Sequence, residues 1–459
     1  MSEDTTLALL GGKPVRTAAF SSNPMVDSEE IELVVHLMEA GIFSKFVGSP
    51  IPGTFDILSK KSRDLPIGDI GSNILGGEYV RKFESFWSEI TGADYCISVN
   101  SATSGITTSL LALDLEPGSE VITTPFSFTA TCAAIIAANC VPVFCDIDKD
   151  TFCISPHSLK SVITKKTKCV LAVHWCGNAG DLDEIGKICQ DKNLYLVEDS
   201  AQAPATFYKG KALGTIGDVG ILSFNEPKNI MTGEGGLILT NNERIAKKCR
   251  LIRNHGEAIV EPHDSDQSLV NIIGYNFRLT EIHAAIAYVQ SKKYKKINSI
   301  RSRNYRYLVN ILSEKFSDYV IPQKITHPDS FYAYTASFRW NYVFSSVHRD
   351  IVADALNAEG IPTFRGYHRL MCDHPMFKRK IAFGKGGHPW IGNNIDYNKI
   401  EIPNVRNLFE KEFLGFLLMG WPNTTVDMDD IVRAFEKIII NLDSLEDFTS
   451  KKSELNLGR

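Results

Sequence analysis

The chain has 459 residues, 44% hydrophobic and 22% charged, with a formal net charge of -5. That balance supports an ordinary globular core in a large and a smaller domain, and it excludes a basic nucleic-acid footprint or a long disordered tail. Glu3 and Asp4 stand where an export signal is basic, and no apolar run reaches the roughly 20 residues of a membrane helix, so a cytoplasmic protein without membrane or nucleic-acid partners is expected.

Residues 1–79 are expected to hold an N-terminal helix and then, over 43–73, a long surface excursion rich in Gly, Pro, Ser and Lys. Residues 80–293 alternate β-branched apolar runs with amphipathic stretches, the pattern of strands and helices taking turns in a mostly parallel sheet. Strands are predicted over 96–99, 121–124, 141–145, 169–174, 194–197, 219–224 and 236–240, with helices such as 181–190 and 243–253. From 294 to 459 a basic helix over 295–315, a strand-like piece over 336–344 and a helix over 349–359 predict a smaller C-terminal α+β domain. The fold class is therefore α/β with an appended domain. Ten scattered cysteines with no C-x-x-C pair are expected to be buried thiols, without a metal site or a disulfide framework.

In a parallel sheet, ligands gather at the carboxyl ends of the strands. After 96–99 comes Asn100-Ser101-Ala102-Thr103-Ser104-Gly105, small residues opening a helix, a place where free N–H groups accept an anion. After 121–124 comes Pro125-Phe126-Ser127-Phe128, an aromatic face for a planar ring. Asp199 follows 194–197, and Lys228 stands five residues after Ser223, just before Gly233-Glu234-Gly235-Gly236. An aromatic plate, a carboxylate, an anion cradle and a lysine are the needs of pyridoxal phosphate. The lysine bonds its aldehyde, and the carboxylate keeps its ring nitrogen protonated. Each residue also has a bland reading: a surface lysine, Asp199 as a helix cap, Phe128 in a core, 100–105 as an ordinary capped helix start. His174 and Trp175 fit a core pair as well as a substrate contact. Arg253 and His255 fit a domain junction, and Arg278 fits either a substrate or a dimer contact. Tyr367, His368 and Arg369 line the substrate approach only by fold analogy.

With Gly76-Gly77, Val80-Arg81, Arg253-Asn254-His255-Gly256 and Gly274-Tyr275-Asn276-Phe277-Arg278-Leu279-Thr280-Glu281 added, the chain resembles the DegT/DnrJ/EryC1/StrS family of pyridoxal phosphate-dependent sugar aminotransferases, from Leu9 to about Pro422. The resemblance implies the type I fold of that superfamily. It implies Lys228 as the Schiff-base lysine and proton shuttle, and Asp199 on the ring nitrogen. Gln202 is implied beside the phenolic oxygen, Phe128 on the ring face, and Ala102, Thr103 and Ser223 on the phosphate. Asn276 is implied to reach the phosphate from a partner subunit, hence a homodimer with shared sites.

The family's chemistry implies glutamate or glutamine as amino donor and a sugar carbonyl as acceptor, in cell-surface polysaccharide or lipopolysaccharide biosynthesis. The length of 43–73 is similar to a subgroup acting on an 8-oxo-3-deoxy-octulosonate; nucleotide-linked ketohexoses and cyclitol ketones are the other acceptors. Glu226-Pro227 departs from the family pattern before the lysine. Two other classes remain: a fold type I lyase, which needs Cys372 over the cofactor, and a non-catalytic cofactor-binding regulator.

Overall fold

The computed structural model describes residues 5–21, 24–46, 55–67, 74–256 and 272–448. In the larger unit the strands are β1 (Tyr95–Val99), β2 (Glu120–Thr123), β3 (Val141–Phe144), β4 (Thr167–Val173), β5 (Tyr195–Asp199), β6 (Phe207–Tyr208), β7 (Lys211–Ala212), β8 (Val219–Ser223) and β9 (Gly236–Thr240). A seven-stranded sheet has the order β1-β9-β8-β5-β4-β2-β3, and β6 and β7 form a separate ribbon. β3, β2, β4, β5 and β8 pair in parallel, whereas β9 is antiparallel to both its neighbours, β8 and β1. Because β9 alone is reversed, the carboxyl ends of β1, β2, β5 and β8 all emerge at one edge.

The strands are apolar runs because both faces of the sheet are covered. Along β9, Leu237 and Leu239 join a core with Phe83 and Trp87, while Ile238 faces the other way into a core with Ile106 and Ile221, the two-residue alternation of a pleated strand. The predicted strands match to within two residues, with one informative difference. β5 continues past 197 through Glu198 and Asp199, because both still pair with β4 and β8.

In the smaller unit β10 (Val320–Pro322), β11 (Ala336–Trp340) and β12 (Phe413–Phe416) form an antiparallel sheet. Helices Tyr294–Phe316, Arg349–Ala358 and Thr425–Ile440 share a core with it through Leu308, Leu356, Phe338, Phe416 and Phe435. The strand expected over 336–344 ends at Trp340, where the Asn341 side chain caps a one-turn helix, Tyr342–Ser345, by accepting from the Phe344 amide. Leu7 also lies in this core, and Arg16 pairs with Asp427 and Asp430 at 2.9 and 2.7 Å.

Residues 47–54 and 68–73 of the stretch 43–73 lie outside the described residues; of the rest, Phe43 to Lys45 and most of 60–66 are exposed, with buried anchors between them. Leu58 and Leu65 are buried with Ile74, Leu75 and Leu251. Arg250 Nη1 donates to the carbonyls of Leu58 and Lys60 at 2.6 and 2.9 Å. Farther along, residues 370–408 fold back on the sheet edge: Phe377, Trp390, Tyr397 and Val405 pack with Phe144, and Tyr397 Oη donates to Pro142 O at 2.6 Å. All ten cysteines are free and buried. Among the described residues no helix is long and apolar enough to cross a membrane, and no His/Cys/Asp/Glu group could hold a metal ion.

Candidate active site

Lys228 is carried on the loop between β8 and β9, and the loop is tied at its neck. Phe224 N donates to Gly235 O at 3.0 Å, Thr232 N to Phe224 O at 2.8 Å, and Glu226 N to Gly233 O at 2.9 Å. Gly233, at φ +82°, makes the reversal that an L side chain rarely adopts.

A cavity of about 420 Å3 opens at the carboxyl edge of the sheet, and Ala102, Thr103, Phe128, Asp199, Gln202, Ser223 and Lys228 all line it. Asn276 does not line it. It borders a neighbouring cavity of about 430 Å3 with Asn100 and Arg278, and Glu234 borders both spaces. Arg278 donates there to Asn276 Oδ1 at 2.8 Å and to Asn254 Oδ1 at 3.3 Å.

At one end of the first cavity the helix Ala102–Ala112 begins. Ser101 caps it in a reciprocal box with Ser104, which leaves the first helical amides, those of Ala102 and Thr103, without intrahelical acceptors. A Cβ on Gly236 would lie 2.7 Å from Ala102 N and 2.5 Å from the Ser101 carbonyl carbon; glycine is what lets β9 start against this helix end. Ser223 stands beside it in the cavity wall.

At the other end is Asp199, buried at the tip of β5. Its Oδ2 accepts from Thr131 Oγ1 at 2.8 Å and its Oδ1 from the Ala201 amide at 3.3 Å. Burial pushes its pKa up, and the Thr131 and Ala201 hydrogen bonds and the charge of Lys228 offset only part of that. The amine of Lys228 is shifted the opposite way. Burial lowers its pKa, against the pull of Asp199, which favours the neutral, nucleophilic form. Its Nζ lies 4.6 Å from the Tyr334 ring centroid.

Phe128, the residue before helix Thr129–Ala137, is 57% exposed and 5.7 Å from the Tyr367 ring, so it is a wall face and not a core filler. Gln202 is held in place: its Oε1 accepts from the Cys176 amide at 2.6 Å, and its Nε2 donates to Tyr367 Oη at 3.4 Å. Tyr367 does line the cavity; His368 and Arg369 do not.

The remaining suggestions sort by burial. His174 is a core residue, bonded through Nε2 to Glu198 Oε2 at 2.9 Å. Arg253 is buried and donates to Glu84 Oε1 at 2.7 Å and Ser98 O at 2.9 Å, a bracing role. Cys372 is buried away from the cavity, and burial pushes its thiol up to about 11, which removes the basis for a cysteine-dependent lyase. Tyr334 is a wall residue that the sequence reading missed. It comes from the smaller unit, and its only sequence signal is the aromatic run Phe331-Tyr332-Ala333-Tyr334.

Free amides at a helix start, a carboxylate with an unfilled demand for positive charge, an exposed ring face and a desolvated amine fit pyridoxal 5'-phosphate in phosphate, ring nitrogen, ring plane and aldehyde. The fold and this cavity define a pyridoxal phosphate-dependent aminotransferase of fold type I. Spore coat polysaccharide biosynthesis protein SpsC of Bacillus subtilis is 28% identical over 92% of this chain and 97% of its own. DesI, solved in the presence of its TDP-sugar product, superposes with a TM-score of 0.75 at 21% identity, over 97% of this chain and 99% of its own. NtdA of Bacillus subtilis, solved with bound cofactor PMP, gives 0.70 at 24% identity, over 94% and 86%. The chain belongs to the DegT/DnrJ/EryC1/StrS aminotransferase family, whose model matches residues 69–408.

Proposed function

We propose that this protein moves an amino group from glutamate or glutamine to a carbonyl of a sugar, in cell-surface polysaccharide or lipopolysaccharide biosynthesis, using Lys228 as its catalytic residue. The observation that carries the reading is the meeting of the Lys228 amine with buried Asp199 in one 420 Å3 cavity. SpsC by its name, and DesI by its TDP-sugar product, support a sugar as the acceptor.

The bound cofactor supplies an aldehyde to carry the amino group and a ring to delocalise the electron pair left on the donor. When the cofactor is bound, Asp199 would hold the ring nitrogen by its charge. The amides of Ala102 and Thr103, with Ser223, would hold the phosphate; Phe128 would cover the ring face, and Gln202 would meet the phenolic oxygen. The lowered pKa of Lys228 suits its Nζ to take a proton from the donor and return it. Asn276, outside the cavity of its own chain, completes the phosphate site of a partner subunit in a homodimer. An equimolar mixture of Lys228→Ala and Asn276→Ala chains then regains about a quarter of wild-type activity, through one intact site in each mixed dimer.

Of the described part of 43–73, Leu58 and Leu65 pack with Leu251 while Ser44 lines the 430 Å3 cavity beside the first; the octulosonate acceptor is proposed from the length of the segment. It is to be screened beside nucleotide-linked ketohexoses and cyclitol ketones. The first test compares absorbance spectra of wild type and Lys228→Ala before and after glutamate and glutamine. Wild type is expected to show a band above roughly 400 nm that the donor shifts to shorter wavelength, and the variant is expected not to cycle. A wild type that binds the cofactor but ignores both donors overturns the reading in favour of a regulator.

A further inference from the structure

An amino-acid donor brings a carboxylate next to the amine it gives up, and that carboxylate needs a cation near Lys228. Among the residues lining the first cavity, Lys228 is the one cation, while Asp199 and Glu234 are acids. The next candidate lies on the long helix Tyr294–Phe316. Its inward stripe is Ile297, Asn298, Asn304, Tyr305, Leu308 and Leu312, and Arg301 falls in that stripe at helical spacing.

Arg301 has no carboxylate partner among the described residues. Its Nη1 donates only to the carbonyls of Ala333 and Tyr334, at 3.2 and 3.4 Å, and its Nε is buried with no acceptor. Burial lowers its pKa to about 10, with only Tyr334 opposing. A Cβ on Gly420 would come within 2.9 Å of Nη2, so glycine there leaves room for the guanidinium. An unpaired, desolvated cation is costly to hold, and it signals a partner that arrives from outside.

Arg301 and Lys228 line a third cavity of about 290 Å3, with Gln290, Trp421 and Asn423. Its one acid, Glu226, is exposed and makes no ion pair with Arg301. Tyr334, a wall of the first cavity, touches both cations: its ring lies beside the Lys228 amine and its carbonyl accepts from Arg301.

We propose that Arg301 binds the carboxylate of the amino-acid donor, and that the 290 Å3 cavity sharing Lys228 with the first one receives it. The proposal rests on the aminotransferase reading and adds the residue that recognises the donor. The rival cation is Arg278, which already donates to Asn276 and Asn254 in its own cavity.

The test uses the holoenzyme as wild type, Arg301→Gln, Arg301→Lys and Arg278→Gln. Glutarate, a dicarboxylate without an amine, is titrated by calorimetry, and the donor half-reaction with glutamate is followed by absorbance. Arg301→Gln is expected to weaken glutarate and raise the glutamate KM by at least about tenfold, a change larger than any fall in the single-turnover rate at saturating glutamate. Arg301→Lys is expected to recover part of the loss, and it carries the test if the Gln variant fails to fold. Unchanged glutarate binding and KM overturn the proposal. So does an effect that follows Arg278→Gln, or a parallel loss of melting temperature and saturated rate, which would mark Arg301 as a brace. A wild type that binds glutarate through Arg301 but never reacts with a donor supports the carboxylate site and overturns the aminotransferase reading.

Discussion

Glu198 and Asp199 are consecutive on β5 and point to opposite faces of the sheet, and their surroundings differ in kind. Glu198 is saturated: it accepts from His174 Nε2 and from the amides of Gly214, Ile216 and Gly217 at 2.7 to 2.9 Å. Burial alone would raise its pKa, but His174 and the backbone amides outweigh burial and the net shift is downward. Asp199, with one hydroxyl and one long amide contact, is left with burial as the winning influence and shifts upward. A carboxylate that the fold has fully satisfied serves the fold. One left short of partners keeps its charge available for something brought in.

Substituting each acid separates the two surroundings. Glu198→Gln turns four inward donors against an amide, and it should lower stability by about 3–5 kcal/mol, read by denaturant melts, with the cofactor spectrum of the surviving folded protein little changed. Asp199→Asn should cut the donor half-reaction by roughly 100- to 1,000-fold, the usual cost of losing a fixed charge that faces developing charge. In the cofactor-free protein at neutral pH the same variant should melt higher than wild type, because it removes a buried charge. Equal or lower melting would show that Asp199 is satisfied after all. Thr131→Val removes the hydroxyl on Asp199 and should cost about 1 kcal/mol, visible as an upward shift in the pH dependence of cofactor binding.

The pH profiles carry opposite signs. Glu198, depressed in the folded state, contributes stability that is present above its ordinary value of 4.5 and lost as pH falls through the lower folded value. Asp199, raised in the folded state, withdraws stability as pH rises from 3.8 through its raised value. Melts of Glu198→Gln and Asp199→Asn between pH 3 and 7 separate the two: the first should flatten the acid-side loss and the second should deepen it.

Much of the floor was legible in the sequence because its chemistry is local. Lys228 follows Ser223 by a fixed spacing on one tied loop, and Ala102 and Thr103 follow their strand directly, so strand ends alone bring them together. The acid pair was only half legible. The run 194–197 ends where polarity begins, and nothing in the sequence says that Glu198 is the one that collects the amides of residues 214–217. The walls were less legible still, because Tyr334 arrives from a different unit over more than a hundred residues of intervening chain. Arg301 did carry a signal, a lone cation in the helix's buried stripe of Ile297, Asn298, Asn304, Tyr305, Leu308 and Leu312, which a reading of helix faces would have flagged. The path of 43–73 could not be read from composition, since its few leucines are spaced too irregularly to announce a buried contact with Leu251.

The neck of the lysine loop, closed by Phe224, Thr232 and Gly235, makes the nucleophile a fixture of the sheet. The tyrosines facing it, Tyr334 and Tyr367, are supplied by chain beyond residue 294 and pack against a core that Phe126 and Trp175 share. Tool and template are thus separately mounted. Tyr367, whose ring stands 5.7 Å from that of Phe128 and whose hydroxyl accepts from Gln202, therefore reshapes the cavity wall when substituted without touching the strands that carry Asp199 and the lysine loop.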